Sequence, residues 1–146
     1  MKSDATNSSQ NSNDDELLTI GELSERCKMT QRTIHLYEER GLICSVRRQE
    51  SGHRYFTQQM EIRLKKIMQL KGIGLNLKEI SQVIDLYFSA DDYGASGKRA
   101  ALVILKGHLA EADQKLVKMT KFREDLMRSI TRLETLMEES VSKANQ

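Results

Sequence analysis

The sequence predicts a mainly helical protein: a compact unit ordered α-α-β-β-α-α, followed by one long helix. Three observations carry that prediction. Helix starts are marked by capping residues at Thr19, Thr30, Thr57 and Asn76. A stretch of β-branched, aromatic and arginine residues around "QESG" interrupts the helices. From Leu102 onward, apolar residues step by threes and fours for roughly five heptads. A chain of 146 residues has room for one modest domain and an appendage of this kind.

Residues 1–16, "MKSDATNSSQNSNDDE", are polar and acidic and are expected to form a disordered tail. They contain no apolar stretch of the kind a secretory signal needs. The folded unit is expected over residues 17–88. Its first helix opens at "TIGE", where Thr19 and Glu22 have the spacing of a capping box, and Ile20 and Leu23 start an apolar stripe. After a break at "CKMT", Thr30 caps a second helix running to Arg40, with Gly41 placed for a left-handed residue. Two short helices so closely joined form a helix-turn-helix. On the second, Ile34, Tyr37 and Gly41 share one side, the core side. Arg32, His35, Leu36 and Glu39 share the other, with Gln31 beside them.

Residues 43–56, "ICSVRRQESGHRYF", read as a short hairpin with Gly52 available for positive φ. Arg47 and Arg48 lie on one arm and Arg54 on the other, so the hairpin forms a basic wing beside the helix-turn-helix. Thr57 caps a third helix to about Gly72, and "NLKE" at 76–79 opens a fourth to about Phe88. A hinge loop, "SADDYGASG", is expected over residues 89–97, a long helix over 98–139 and a flexible tail over 140–146. The stripe on the long helix comprises Leu102, Leu105, Leu109, Ala112, Leu116 and Met119. After a mismatch at Arg123 it continues through Leu126, Ile130, Leu133 and Met137. A unit this small cannot cover such a stripe, and a second copy of the chain is the simplest partner.

Charge and chemistry narrow the function. The formal net charge is +2, but the first sixteen residues hold one lysine against four acids, while Arg26 to Lys71 hold eleven basic residues against four acids. A basic block within a foldable segment is the footprint of a polyanion such as double-stranded DNA. No run of apolar residues is long enough to span a membrane. Cys27 and Cys44 lack a paired metal-ligand spacing and read as reduced thiols of a cytoplasmic protein, with no metal and no cofactor. An enzyme would need converging catalytic groups. His35, His53 and His108 fall on separate elements, and "GIGLNL" lacks the spacing and lysine of a phosphate loop. A coiled-coil interaction module would account for residues 98–139 but leave the arginine hairpin without a role.

The runs "LLTIGELSERCKMTQRTIHLYEERGLI", "RRQESGHRYF" and "RLKKIMQLKGIGLNLKEI" resemble, in order and spacing, the MerR family of bacterial transcription regulators. The resemblance implies a winged helix-turn-helix with a second wing built from the third and fourth helices. It also implies a homodimer joined by an antiparallel coiled coil on a pseudo-palindromic promoter element. Many members distort an overlong promoter spacer so that RNA polymerase engages both boxes. By position, the recognition helix is Gln31 to Arg40, with Gln31, Arg32, Thr33, His35 and Leu36 toward the groove and Tyr37 at the phosphate boundary. Wing contacts are implied for Arg47, Arg48, Arg54, Tyr55 and Phe56, second-wing phosphate contacts for Lys65, Lys66 and Lys71, and a phosphate contact near the Thr19 cap. In the wing pattern, His53 and Phe56 stand where the family has tyrosines. On the helix, His35 and Leu36 stand where it usually has arginine and an aromatic residue, which implies fewer phosphate bonds and more reliance on the wing.

The family's metal and redox sensors carry cysteines at either end of the long helix; "SADDYGASGKR" and "ESVSKANQ" contain none. The tail after residue 139 is too short for the ligand domain of the drug-sensing members. Two readings stay open: a small-molecule effector acting through the dimer interface or the loop with Asp91, Asp92 and Tyr93, or a constitutive, effector-free binder. A fainter resemblance is to the branch controlling branched-chain amino-acid and fatty-acid breakdown genes.

Overall fold

The computed structural model describes residues 16–48, 53–89 and 91–146. The expected tail up to residue 15, the hairpin turn at 49–52 with Gly52, and Ala90 lie outside the described residues. The elements are β1 (Leu18–Thr19), α1 (Ile20–Cys27), α2 (Gln31–Glu39), β2 (Arg47–Arg48), β3 (Arg54–Phe56), α3 (Gln58–Gly72), α4 (Leu77–Tyr87) and α5 (Ala95–Ala144). The protein is thus mainly α, a winged helix-turn-helix followed by a long C-terminal helix. Contacts divide the chain into two compact units, Met1–Ala101 and Leu102–Gln146.

The first unit is built by local signals. Thr19 accepts from the Glu22 N–H at 3.2 Å, and its own N–H donates to Glu22 Oε2 at 2.8 Å, completing the capping box. Those bonds, the backbone one foremost, hold the Glu22 carboxyl below its ordinary pKa. Lys28 closes α1 in the left-handed region at φ 52°, a place usually filled by glycine. Thr30 then caps α2 through the Thr33 N–H at 3.2 Å. Gly41, at φ 71°, ends α2, and Leu42 N–H bonds the Tyr37 carbonyl at 2.9 Å. Thr57 and Asn76 cap α3 and α4 as their spacing predicts.

One strand was not legible in the sequence. Leu18 and Thr19 pair antiparallel with β3, Leu18 opposite Phe56 and Thr19 opposite Tyr55, so the hairpin becomes a three-stranded sheet ordered β1-β3-β2. The cause is apolar: Leu18 and Phe56 are 1% and 0% exposed and cover one another across the strands. The core continues through Leu23, Ile34, Leu64, Ile67, Ile80 and Ile84. No polar or charged residue is buried among the described residues.

Helix α5 departs from its expected bounds at both ends. It begins at Ala95, inside the span expected to be a hinge. Asp92 satisfies the orphan donors of its first turn: its carbonyl accepts the Ala95 N–H at 3.1 Å, and its Oδ2 accepts the Ser96 N–H at 2.7 Å. The Ser96 hydroxyl also bonds this carboxylate and is the main reason its pKa is lowered. Gly97 lets this turn approach α4, since a Cβ there would stand 2.6 Å from the Tyr87 Cγ. At its far end α5 runs on to Ala144 rather than stopping at residue 139, because residues 140–144 contain no glycine or proline. The segment expected to be a flexible tail is helical over most of its length.

In the second unit the apolar stripe lies open. Leu109, Leu116, Met119, Ile130, Leu133 and Met137 are each more than half exposed. Leu102, at the unit's first position, is 51% exposed and Leu126 is 47% exposed. Leu105 is half-buried and Ala112 is exposed. Phe122, 56% exposed, supplies an apolar side chain beside the mismatch at Arg123.

Candidate nucleic-acid interface

Amphipathic periodicity turns α2 into a two-sided element. Ile34 and Tyr37 anchor it, at 0% and 2% exposure. Tyr37 therefore belongs to the core, as its helical spacing predicts, rather than to the phosphate boundary that the family resemblance implies. The outward face carries Gln31, Arg32, Thr33, His35, Leu36 and Glu39, with Leu36 38% exposed. Arg32, Thr33, His35, Leu36 and Glu39 line one shallow open depression of about 410 Å³. The surface thus offers a cation, a hydroxyl, an imidazole, an aliphatic contact and a carboxylate side by side.

The sheet lies next to this helix. Arg47 pairs with Tyr55 and Arg48 with Arg54 across β2 and β3. The side chains of Arg47 and Arg48 are outside what the structure describes. Strand alternation places Arg54 and Phe56 on one face of β3 and Tyr55 on the other. This corrects two expectations for the wing. Phe56, 0% exposed, is a core residue and not a DNA contact, because it faces the helices and packs against Leu18. Arg54 points the same way and is engaged by α2: its Nη1 lies 2.6 Å from Glu38 Oε2 and 2.6 Å from His35 Nδ1. With its side chain 29% exposed, it is not a free phosphate contact in this conformation. Tyr55 is half-buried.

Glu38 was missed by sequence reasoning and is the organising group here. Its Oε1 accepts from the Ser45 hydroxyl at 2.7 Å and the Ser45 N–H at 3.3 Å, while Oε2 takes Arg54. The carboxylate thus ties α2 to both the approach to β2 and to β3. Its place three residues after His35, on one helical face, was the available signal. Arg63 was missed as well: its Nε donates to the Leu42 carbonyl at 2.5 Å and its Nη2 to Asp85 at 2.7 Å. It lies 5.8 Å from the Phe88 ring centroid, so its charge fastens α3 to the turn after α2 and to α4.

The three lysines of α3 differ. Lys65 bonds Glu61 at 2.6 Å, and Arg26 reaches the same carboxylate at 3.2 Å. Lys65, then Arg26, hold the Glu61 carboxyl below its ordinary value, and Glu61 raises Lys65 in turn. Lys66 bonds Gln69 at 2.9 Å and lies 5.2 Å from the Tyr87 ring centroid. Lys71 is exposed in the last turn. The Thr19 hydroxyl is used as a helix cap. Cys27 is buried, which pushes its thiol pKa up, and Cys44 is exposed. Among the described residues, no three His, Cys, Asp or Glu side chains are grouped so as to hold a metal ion, and no helix is long and apolar enough to cross a membrane.

Comparison with known proteins is consistent with this geometry. A family model described as "MerR HTH family regulatory protein" matches residues 18–86, and one described as "MerR, DNA binding" matches residues 62–129. The chain is 28% identical over 110 residues to the HTH-type transcriptional regulator CueR of Escherichia coli O6:H1, covering 75% of this chain and 78% of that protein. It is 31% identical over 112 residues to the nodulation protein NolA of Bradyrhizobium diazoefficiens, covering 77% of this chain but only 42% of that protein. The chain thus spans less than half the length of that relative. Among solved structures, one of a MerR family regulator lacking the sensor domain, HiNmlR, bound to promoter DNA, matches with a TM-score of 0.50 at 26% identity. That match covers 69% of this chain and 79% of the other. The lead(II) complex of PbrR691 from Ralstonia metallidurans CH34 shares the fold, with a TM-score of 0.58 at 23% identity, over 74% of this chain and 81% of that one.

Proposed function

The chain belongs to the MerR family of helix-turn-helix regulatory proteins, and from that premise we propose that it regulates transcription as a homodimer on a pseudo-palindromic promoter element. The observation that carries this reading is the outward face of α2, where Arg32, Thr33, His35, Leu36 and Glu39 stand together on a helix anchored by Ile34 and Tyr37. Such a face suits the major groove. Arg32 forks onto a guanine edge, and Leu36 packs on a thymine methyl. Backbone-held Arg47 and Arg48 in β2, with Lys65, Lys66 and Lys71 of α3, neutralise flanking phosphates and set register without reading sequence.

The open stripe on α5 supports dimerisation. Each leucine or isoleucine fully buried there contributes about 1.5–3 kcal/mol, and an antiparallel pairing of two α5 helices buries the stripe of each in the other. Two α2 helices at a separation set by that pair act on a promoter spacer by distorting it, at a deformation cost that depends on the spacer's sequence. RNA polymerase is the partner that profits from the realigned promoter. The protein acts in the cytoplasm. No cysteine stands in residues 89–99 or 139–146, which supports a regulator without a thiolate metal or redox sensor.

Selection of duplexes from a random pool, followed by titration at several salt concentrations, tests this reading. The expected result is an enriched duplex with two-fold related halves. On that duplex Arg32→Ala weakens binding by roughly tenfold or more, with little change on a scrambled duplex. Equal losses on both duplexes refute the assignment of Arg32 to base reading.

A further inference from the structure

Arg54 and His35 meet in a way that the base-reading face does not by itself explain. The guanidinium Nη1 carries two hydrogens, and two acceptors lie at 2.6 Å: Glu38 Oε2 and His35 Nδ1. Arginine has no acceptor and stays protonated, so it can only donate. At that separation His35 Nδ1 must therefore offer its lone pair, and the hydrogen of the neutral ring must sit on Nε2. Glu38 is itself fixed in place, since its other oxygen accepts from the Ser45 hydroxyl and N–H. The guanidinium is thus held by two side chains of α2, one of them braced by Ser45 just ahead of β2.

We propose that Arg54 is a positioning residue that fixes His35 as the Nε2–H tautomer and so makes it a donor-only reader of base edges. This deepens the reading of α2 as the recognition helix and rests on it. With Nδ1 occupied, the one polar edge His35 offers to the depression it shares with Arg32, Thr33, Leu36 and Glu39 is the Nε2–H. A donor recognises guanine N7 and O6, thymine O4 and adenine N7, and it meets repulsion from cytosine N4 and adenine N6. His35 therefore selects an acceptor-rich edge at one base pair of each half-site. The residue setting that preference is a wing arginine that touches no base.

The test uses the enriched duplex and its single base-pair variants with the full chain. His35→Ala is expected to flatten discrimination at one base pair per half-site by about three- to tenfold, the range of one hydrogen bond. Arg54→Met should flatten the same pair, and the double variant should be no flatter there than His35→Ala alone. Arg54→Lys, which keeps an obligate donor, should restore much of the discrimination. Histidine side-chain nitrogen spectra of the free protein should show the neutral His35 ring unprotonated at Nδ1. Additive effects, effects on different base pairs, or a uniform loss with discrimination intact for Arg54→Met would each overturn the proposal, as would a proton on Nδ1. Failure of any duplex to enrich would overturn the groove-reading assignment itself. Enrichment with additive substitutions would sink only the Arg54 inference.

Discussion

The two units of the chain solve the burial problem in opposite ways. In Met1–Ala101, apolar side chains from α1 to α4 and the small sheet close on one another, with Leu23, Ile34, Phe56, Leu64, Ile67 and Ile80 all at 0% exposure. In Leu102–Gln146 there is one helix, and side chains of the same chemistry stand open: Leu116 is 67% exposed and Leu133 is 61% exposed. The first unit carries its own stabilisation. For the second, periodicity supplies a face that no described residue covers, so under the proposed pairing its ordering depends on a second copy.

The largest expected effect breaks that dependence. Replacing both Leu126 and Ile130 of α5 with aspartate puts charges into the proposed pairing face and removes roughly 3–6 kcal/mol of burial per chain. Sedimentation should then show a monomer, with the helical signal of α5 reduced and the first unit's cooperative unfolding retained. A dimer surviving both substitutions would mean that another face joins the copies. Next in size, Phe56→Ala should cost about 3–5 kcal/mol and unfold the first unit at any protein concentration. Wild-type α5, by contrast, should melt at a temperature that rises with concentration. A concentration-dependent midpoint for the first unit would mean that it too draws stability from a second copy.

The smallest effect sharpens the comparison within the first unit. Glu61, 14% exposed, takes Lys65 and Arg26 and is held below its unfolded pKa. A depressed carboxyl contributes stability above its unfolded pKa and loses it as pH falls through the folded value. Glu61→Gln should therefore cost about 0.5–1 kcal/mol near neutral pH. In urea unfolding the gap between the two proteins should close once pH drops below the carboxylate range. A gap that persisted in acid would locate the effect in packing instead.

Most helix boundaries were legible because they are local. A threonine or asparagine three residues before a free N–H, or a glycine after the last apolar residue, is a matter of short-range geometry, and α1 to α4 follow it. The wing was harder for a physical reason. Its pattern shows an arginine and an aromatic at positions 54 and 56, but only the pleat says they share a face, and only the presence of Leu18 opposite says that face is inward. A strict three-four step along α5 leaves a gap at Arg123 and passes over neighbouring Phe122, which offers an apolar side chain.

The sequence by itself determined the order of the helices and the hairpin, the caps, the two-sided α2 and an apolar stripe that needs covering, since each depends on residues within a turn or two of one another. The tertiary structure alone decided that residues 18–19 join the sheet, that Phe56 is core, and that Arg54 is engaged by Glu38 and His35. Those outcomes depend on which distant segments share space. Arg54 and His35 lie nineteen positions apart in the chain, and their 2.6 Å contact arises from the packing of β3 against α2. A side chain's role follows from the partner it meets, and no spacing rule in the sequence names that partner.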